Sequence, residues 1–292
     1  MGDETRSAGQ LSSTLLSIVP FLTDFERKEF FNYHYWRFLE TLKECAPWVG
    51  GRVLDIGIAP GHVAMALKRL GCEVCGITDH EGLARGRRGQ DFDQASRWQQ
   101  EGFTVRCAVV DREPIPFPGG HFDLVVFTEV LEHLVYDPKP LVHEMFRVMK
   151  RGGGIVVSTP NASRIENRIK GIMGRSLYPR PEDFYFDSPY KRHNREYTLK
   201  ELIALFQPPF VLKNARCIML GELAVPVSER GTVYDTLEYA EITPDGRPAQ
   251  PRQYFGPGGW TAAARSFLRL LKGIKPSLRS GLLATFTCPA RE

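Results

Sequence analysis

The segment VLDIGIAPGH, residues 53–62, places an acid, Asp55, two positions before Gly57 and six before Gly61. A short apolar run, a turn carrying two glycines and then the helix-like VAMALKRLG predict a strand that bends sharply into a helix. At such a bend the first helical amides point outward and favour an anionic or strongly polar ligand. Ala59 is small enough to let a ligand approach that backbone closely. Asp79 stands 22 positions after Gly57, where the second β-rich run ends and a carboxylate can accept both hydroxyls of a ribose. The turn by itself is weak evidence and can be an ordinary tight turn; with the acid at the second strand it reads as a nucleoside site.

Two further groups could do chemistry. His133, in EVLEH, follows the fourth apolar run, which puts an imidazole able to titrate near neutral pH at the carboxyl edge of a sheet. It reads as a general base or as a residue packing the next helix, and both readings stay open. Glu129 and Glu132 read as cofactor-side or structural contacts, and Thr128 as lining the nucleoside pocket. His193, Arg195 and Tyr197, in YKRHNREYT, either close over an acceptor or anchor their own segment. Cys72 and Cys75 form a lone CxxC with no second ligand pair, so core packing is expected and no metal.

These residues need elements to hold them. The runs GRVLDI, CEVCGIT, TVRCAVV, FDLVVFTEV and GGIVVSTP read as strands, with helical stretches after the first, second and fourth. Near-continuous apolar strands alternating with helices predict a parallel sheet covered on both faces, an α/β doubly wound fold. Ahead of it, residues 1–23 read as a frayed start with one short helix, and residues 24–49 as a helix or two rich in aromatics, Tyr33 to Arg37 among them. After Pro160 the alternation breaks for about 35 residues, the length of a functional insertion. Thr198 and Glu201 then form a capping box, and FVLKNARCIML and GLLATFTC read as two late strands. Between the late strands, residues 222–280 carry Gly and Pro clusters and one basic amphipathic helix from Trp260 to about Lys272.

In Asp55-x-Gly57-x-x-x-Gly61 and the segments DREPIPFPGGHFDLVVFTEVLEHL and MFRVMKRGGGIVVSTPN, the chain resembles the class I S-adenosylmethionine-dependent methyltransferases over residues 50–160. The resemblance implies a Rossmann-like seven-stranded sheet closed by an antiparallel last strand between the fifth and sixth. It implies S-adenosylmethionine as cofactor, bound by Asp55, Gly57, Ala59, Gly61, Asp79, Thr128 and Glu129, with the Asp111 carboxylate on the adenine amino group and the Arg112 amide on a ring nitrogen. Two positions depart from the family pattern. Ala59 replaces a common glycine, and Thr78 stands where the ribose acid usually follows the strand, so that Asp79 comes one place late unless a bulge corrects it. YKRHNREYT resembles an element of glycan-associated members, which makes His193, Arg195 and Tyr197 candidate substrate contacts and the acceptor a small molecule or glycan.

Domain boundaries follow: a helical lid over 1–50, a cofactor-binding core over 51–160, a basic cap over 161–197, and a C-terminal part of the sheet over 198–292 with the insertion 222–280. Residues 161–195 hold eight Lys or Arg against four Asp or Glu, an excess equal to the whole net charge of +4. Clustered guanidinium groups suit a phosphate- or carboxylate-bearing acceptor. A net charge so small does not argue for nucleic acid. No apolar run approaches the roughly 20 residues that span a bilayer, so a soluble, cytoplasmic enzyme with reduced cysteines is expected. Two alternatives remain: other chemistry on the same cofactor, and a non-catalytic cofactor-binding subunit.

Overall fold

The computed structural model describes residues 8–23, 26–79, 94–185, 189–218, 238–242, 248–253, 270–271, 273 and 275–290. The expected helix Trp260 to Lys272 lies outside these but for two residues, as do all of residues 80–93.

Strands β1 (Arg52–Ile56), β2 (Glu73–Thr78), β3 (Thr104–Cys107), β4 (Phe122–Thr128), β5 (Met149–Pro160), β6 (Val211–Ile218), β7 (Glu238–Ile242), β8 (Pro248–Gln253) and β9 (Gly281–Thr287) follow in chain order. Seven of them form one sheet in the order β3-β2-β1-β4-β5-β9-β6, and β7 and β8 pair separately. The first five are mutually parallel, while β9 is antiparallel to both β5 and β6. The strand order reverses between β1 and β4, so the crevice for a ligand opens beyond their carboxyl ends.

The helices are α1 (Ala8–Leu16), α2 (Asn32–Cys45), α3 (His62–Arg69), α4 (Gln94–Gln100), α5 (Lys139–Val148), α6 (Ile165–Ile172), α7 (Pro181–Tyr185) and α8 (Leu199–Phe206). Alternation along the central strands sends Val53, Leu124 and Val126 into one apolar cluster with α1, α2 and α3. Leu54, Val125 and Ile155 enter the other, with α5 and α8. Cys72 belongs to the first cluster and Cys75 to the second, so the two thiols pack on opposite faces of the sheet. The capping box is formed: the Glu201 amide donates to Thr198 Oγ1 at 3.3 Å and the Thr198 amide to Glu201 Oε2 at 2.8 Å.

Some boundaries moved. The third strand ends at Cys107, and α5 stops at Val148 because Met149 and Lys150 already belong to β5. The helix or two expected over residues 24–49 are a π-helical segment, Glu26–Phe31, running into α2. That segment is pinned by a bidentate ion pair, Arg97 Nη1 and Nη2 on the two oxygens of the buried Glu26 carboxylate at 2.6 and 3.0 Å. Burial alone would raise the Glu26 carboxyl, but the Arg97 hydrogen bonds outweigh it and lower the pKa.

Candidate functional site

The turn after β1 is built around two left-handed residues. Gly57 has φ +79°, and a Cβ there would collide with Val130 in the segment after β4; Gly61 has φ +95° and lies 3.2 Å, measured from a built Cβ, from Trp98 Nε1. The amides of Gly57 and Ile58 both donate to Ile77 O, at 2.9 and 3.1 Å, which ties the turn to β2. His62 then opens α3. Beside this turn, both His62 ring nitrogens and Trp98 Nε1 are buried polar atoms without a hydrogen-bond partner, as is Arg37 Nε farther along. Native proteins rarely leave such atoms unmatched, and Trp98 Nε1, which lies against Gly61, fits a polar ligand laid across this turn.

Asp55 ends up 5% exposed on the α2 side of β1. Burial pushes its carboxyl up from the ordinary 3.8 to about 7. The folded chain therefore keeps a proton that the unfolded chain releases, and the stability held in this group is lost as pH rises from about 4 to about 7. A shift of that size corresponds to about 4 kcal/mol. Asp55→Asn is expected to melt at a higher temperature than the parent at alkaline pH, with a smaller gain at acidic pH, while S-adenosylmethionine binding weakens at least about tenfold. Equal melting curves at alkaline pH would refute the uncompensated charge.

His62, the next buried group, is pushed down to about 4 by burial and by Arg97 and Arg37, against a pull upward from Glu26. It is a neutral ring packed edge-on to Phe31 and Phe38.

At the end of β4, Thr128 pairs with Ser158 of β5. Glu129 takes φ +55°, the only non-glycine residue with positive φ among the described residues. Its amide donates to Ser158 O at 2.9 Å, and its carboxylate accepts from Ser158 Oγ at 2.9 Å and faces Arg37 of α2 at 3.5 Å. The N-terminal helices thus reach the crevice rim through Arg37.

Asp79 directly follows β2 and is half-buried. The register of β2 is unbroken from Arg52↔Glu73 to Ile56↔Ile77 and on to Thr78↔Cys107, so no bulge moves the acid back by a residue. Asp111 is gripped by its own protein: Oδ2 accepts from the Val135 and Tyr136 amides at 2.9 and 3.1 Å, and Oδ1 from the Tyr190 hydroxyl at 3.2 Å. The Arg112 amide, expected to face an adenine ring nitrogen, donates to Val109 O at 2.8 Å inside a turn.

His133 and His193, 60 positions apart in the chain, meet edge to face with ring centroids 4.9 Å apart. The join is made by Asn194, whose amide donates to Glu132 O at 2.7 Å and whose side chain donates to His133 O at 2.9 Å. His133 Nδ1 lies 3.0 Å from Arg192 O. A carbonyl only accepts, so Nδ1 carries the proton of the neutral ring and Nε2 is the basic nitrogen. Glu132 is 1% exposed, with Oε1 3.8 Å from that Nε2 and Oε2 accepting from Thr159 Oγ1 at 3.0 Å. Burial first, and Glu129 second, raise its pKa well above the carboxylate range. Glu132, His133 and His193 bring one donor atom each within 4.8 Å of one another, a set with the chemistry of metal ligands that no sequence spacing announces.

His193 Nδ1 contacts Glu196 Oε1 at 3.3 Å, and Arg164 pairs with the other oxygen of the same carboxylate. Burial would raise Glu196, but the His193 and Arg164 hydrogen bonds hold it at about 2. The other two residues of this group also meet the protein itself. Arg195 pairs with Glu201 at 2.9 Å and stacks over the Tyr197 ring, and Tyr197 is buried while its carbonyl accepts from the Ala162 amide. Arg37 belongs to the aromatic stretch that the sequence offers as a lid, whereas His62, Trp98 and Ser158 had no marker of their own beyond His62 abutting Gly61.

The sequence profile of a family described as a methyltransferase domain matches residues 26–208. The demethylmenaquinone methyltransferase of Clavibacter sepedonicus is 31% identical over 164 residues, 55% of this chain and 58% of that protein. The ubiquinone biosynthesis O-methyltransferase of Ruegeria sp. (strain TM1040) is 33% identical over 120 residues, 41% of this chain and 45% of that protein. The chain thus spans about half the length of the curated relatives it matches. Among solved structures, one from the Haloferax volcanii complex of the Trm112 methyltransferase activator with a methyltransferase superposes with a TM-score of 0.53 at 15% identity, covering 94% of this chain and 97% of that chain. The 4+2 cyclase SpnF superposes at 0.50 and 16% identity, covering 87% of this chain and 82% of its own. At such identities the structural likeness shows the fold. Sheet order, glycine cradle and profile together make this chain a member of the class I S-adenosylmethionine-dependent methyltransferases, with S-adenosylmethionine as its cofactor.

Proposed function

We propose that the protein methylates an ionisable oxygen of a small cyclic acceptor, with His133 as the base. The observation that carries this reading is the contact of His133 Nδ1 with Arg192 O at 3.0 Å, which leaves Nε2 as the basic nitrogen, 3.8 Å from Glu132 Oε1, in a ring packed against His193. Bound S-adenosylmethionine supplies the electrophilic methyl group. The turn Asp55 to Gly61 and the Asp79 carboxylate would hold it, with Thr128 and Glu129 along the rim, and α2 with Arg37 acts as the lid. For an in-line displacement the protein's main task is alignment, and the base removes the acceptor's proton as its oxygen attacks. Tyr190 and Asp111 tie the cap to the segment after β4 and hold the two histidines in register.

The acceptor class draws support from the relatives, whose names place them in quinone biosynthesis. Acceptor charge is not part of the proposal: Arg164, Arg192 and Arg195 already meet protein oxygens. Likeness to SpnF keeps a second reading in view, cofactor binding with other chemistry, because one fold supports many reactions. Incubation with S-adenosylmethionine and hydroxylated quinone precursors, followed by mass analysis, decides between them. The expected product gains one CH2 and is matched by S-adenosylhomocysteine; product formed without S-adenosylhomocysteine would refute methyl transfer.

A further inference from the structure

The ten residues 171–180, GIMGRSLYPR, are all exposed. Ile172 is 87% exposed and Tyr185 71%, with Met173, Leu177 and Tyr178 about half exposed. A lone exposed apolar side chain is ordinary, but five so close in one segment mark an interaction surface. Its origin is visible in α6, where the one buried residue is Asn167, held by Ala162 O and Glu196. Past Ile172 the chain turns at Gly174, φ +64°, which leaves Ile172 and Met173 at a helix end with no core beneath them.

Basic residues are threaded through the same stretch: Arg168, Lys170, Arg175 and Arg180, with no acid between residues 168 and 180. The surface also connects to the candidate site. Phe184 lies edge to face with Tyr178 and Tyr185, at 5.9 and 5.1 Å between centroids. The Arg192 guanidinium sits 4.4 Å over Phe184 and 5.1 Å over Tyr185, while the same residue's carbonyl holds His133 Nδ1.

The geometry points to this cap face as a docking surface for a bilayer carrying anionic headgroups. Aliphatic side chains gain by entering the boundary between headgroups and acyl chains, tyrosines favour that depth, and interleaved Lys and Arg are drawn to negative lipid. A protein partner would call for a different surface, since interface cores are depleted in charge and in lysine above all. Among the described residues no helix is long and apolar enough to cross a membrane, so contact here is superficial. Docked this way, the cap sets the histidine pair one residue, Arg192, away from the lipid-facing aromatics, where an acceptor dissolved in the bilayer would arrive.

Vesicle flotation of the full chain tests this without turnover, so its outcome is independent of the proposed reaction. Vesicles of phosphatidylcholine alone are compared with vesicles containing about one-third phosphatidylglycerol, each at low and high salt. At low salt the expected bound fraction is at least about tenfold greater on the anionic vesicles, and it falls as salt rises. Lys170→Glu with Arg175→Glu should lose most of that binding, as should Ile172→Asp with Leu177→Asp, whereas Lys139→Glu, outside the cap, should not. All these side chains are exposed, so melting temperature and S-adenosylmethionine affinity should stay at parental values. No flotation with anionic vesicles, or equal flotation with neutral ones, overturns the proposal. So does a dimer in solution that Ile172→Asp dissociates, which would assign the face to a second copy of the chain.

Discussion

Gly57→Val is expected to abolish S-adenosylmethionine binding, with at least a hundredfold loss of affinity as a rough floor, in a chain that still folds. The backbone at Gly57 has φ +79°, a conformation that costs a β-branched residue on the order of 1–2 kcal/mol. Added to this, the new Cβ would run into Val130, so either the turn or the segment after β4 must move. That segment carries Glu129 and leads to His133, and both rims of the crevice are displaced together. The paired bonds from Gly57 and Ile58 to Ile77 O resist any relaxation that would preserve the cradle. Gly71 supplies the control: its φ is +92°, but nothing lies within 4 Å of a built Cβ. Gly71→Ala should lower the melting temperature modestly and leave binding unchanged. Titration calorimetry on both variants reads the difference, and a Gly57→Val protein that binds with parental affinity would mean that the ligand does not lie across this turn.

The cradle was legible because its requirements are local. A sharp exit from a buried strand needs glycine at left-handed positions, and parallel strands covered on both faces need unbroken apolar runs, so VLDIGIAPGH and its successors announce themselves. The capping box at Thr198 is local in the same sense. What failed to show was whatever depends on two distant segments meeting. His133 and His193 each drew attention through their own neighbours, but their contact is made by Asn194 reaching back to Glu132 and His133. The ion pair of Glu26 with Arg97 and the reach of Arg37 to Glu129 are likewise products of tertiary packing. The hairpin of β7 and β8 was hidden by Pro248 and Pro251, which cannot donate to a ladder and so argue against a strand when only the sequence is read.

His133→Asn separates chemistry from architecture more cleanly than any other substitution in this crevice. An asparagine amide can stand where Nδ1 stands and still donate to Arg192 O, so the cap keeps its anchor while the basic nitrogen disappears. On the proposed mechanism kcat falls by roughly a hundredfold to ten-thousandfold, the range that loss of a general base produces. S-adenosylmethionine affinity stays near parental, because the cradle at Gly57 and Gly61 belongs to another strand. The pH profile carries the decisive sign. A base must be unprotonated to act, so parental kcat should rise with pH along an imidazole limb and then level off, and the variant should lose that limb. His193→Ala should act more weakly, since it removes the ring packed against His133 but leaves the Arg192 contact in place. If His133→Asn kept both the parental rate and the ascending limb, the proton would be leaving by another route. The pair of histidines would then be an anchor for the cap and nothing more.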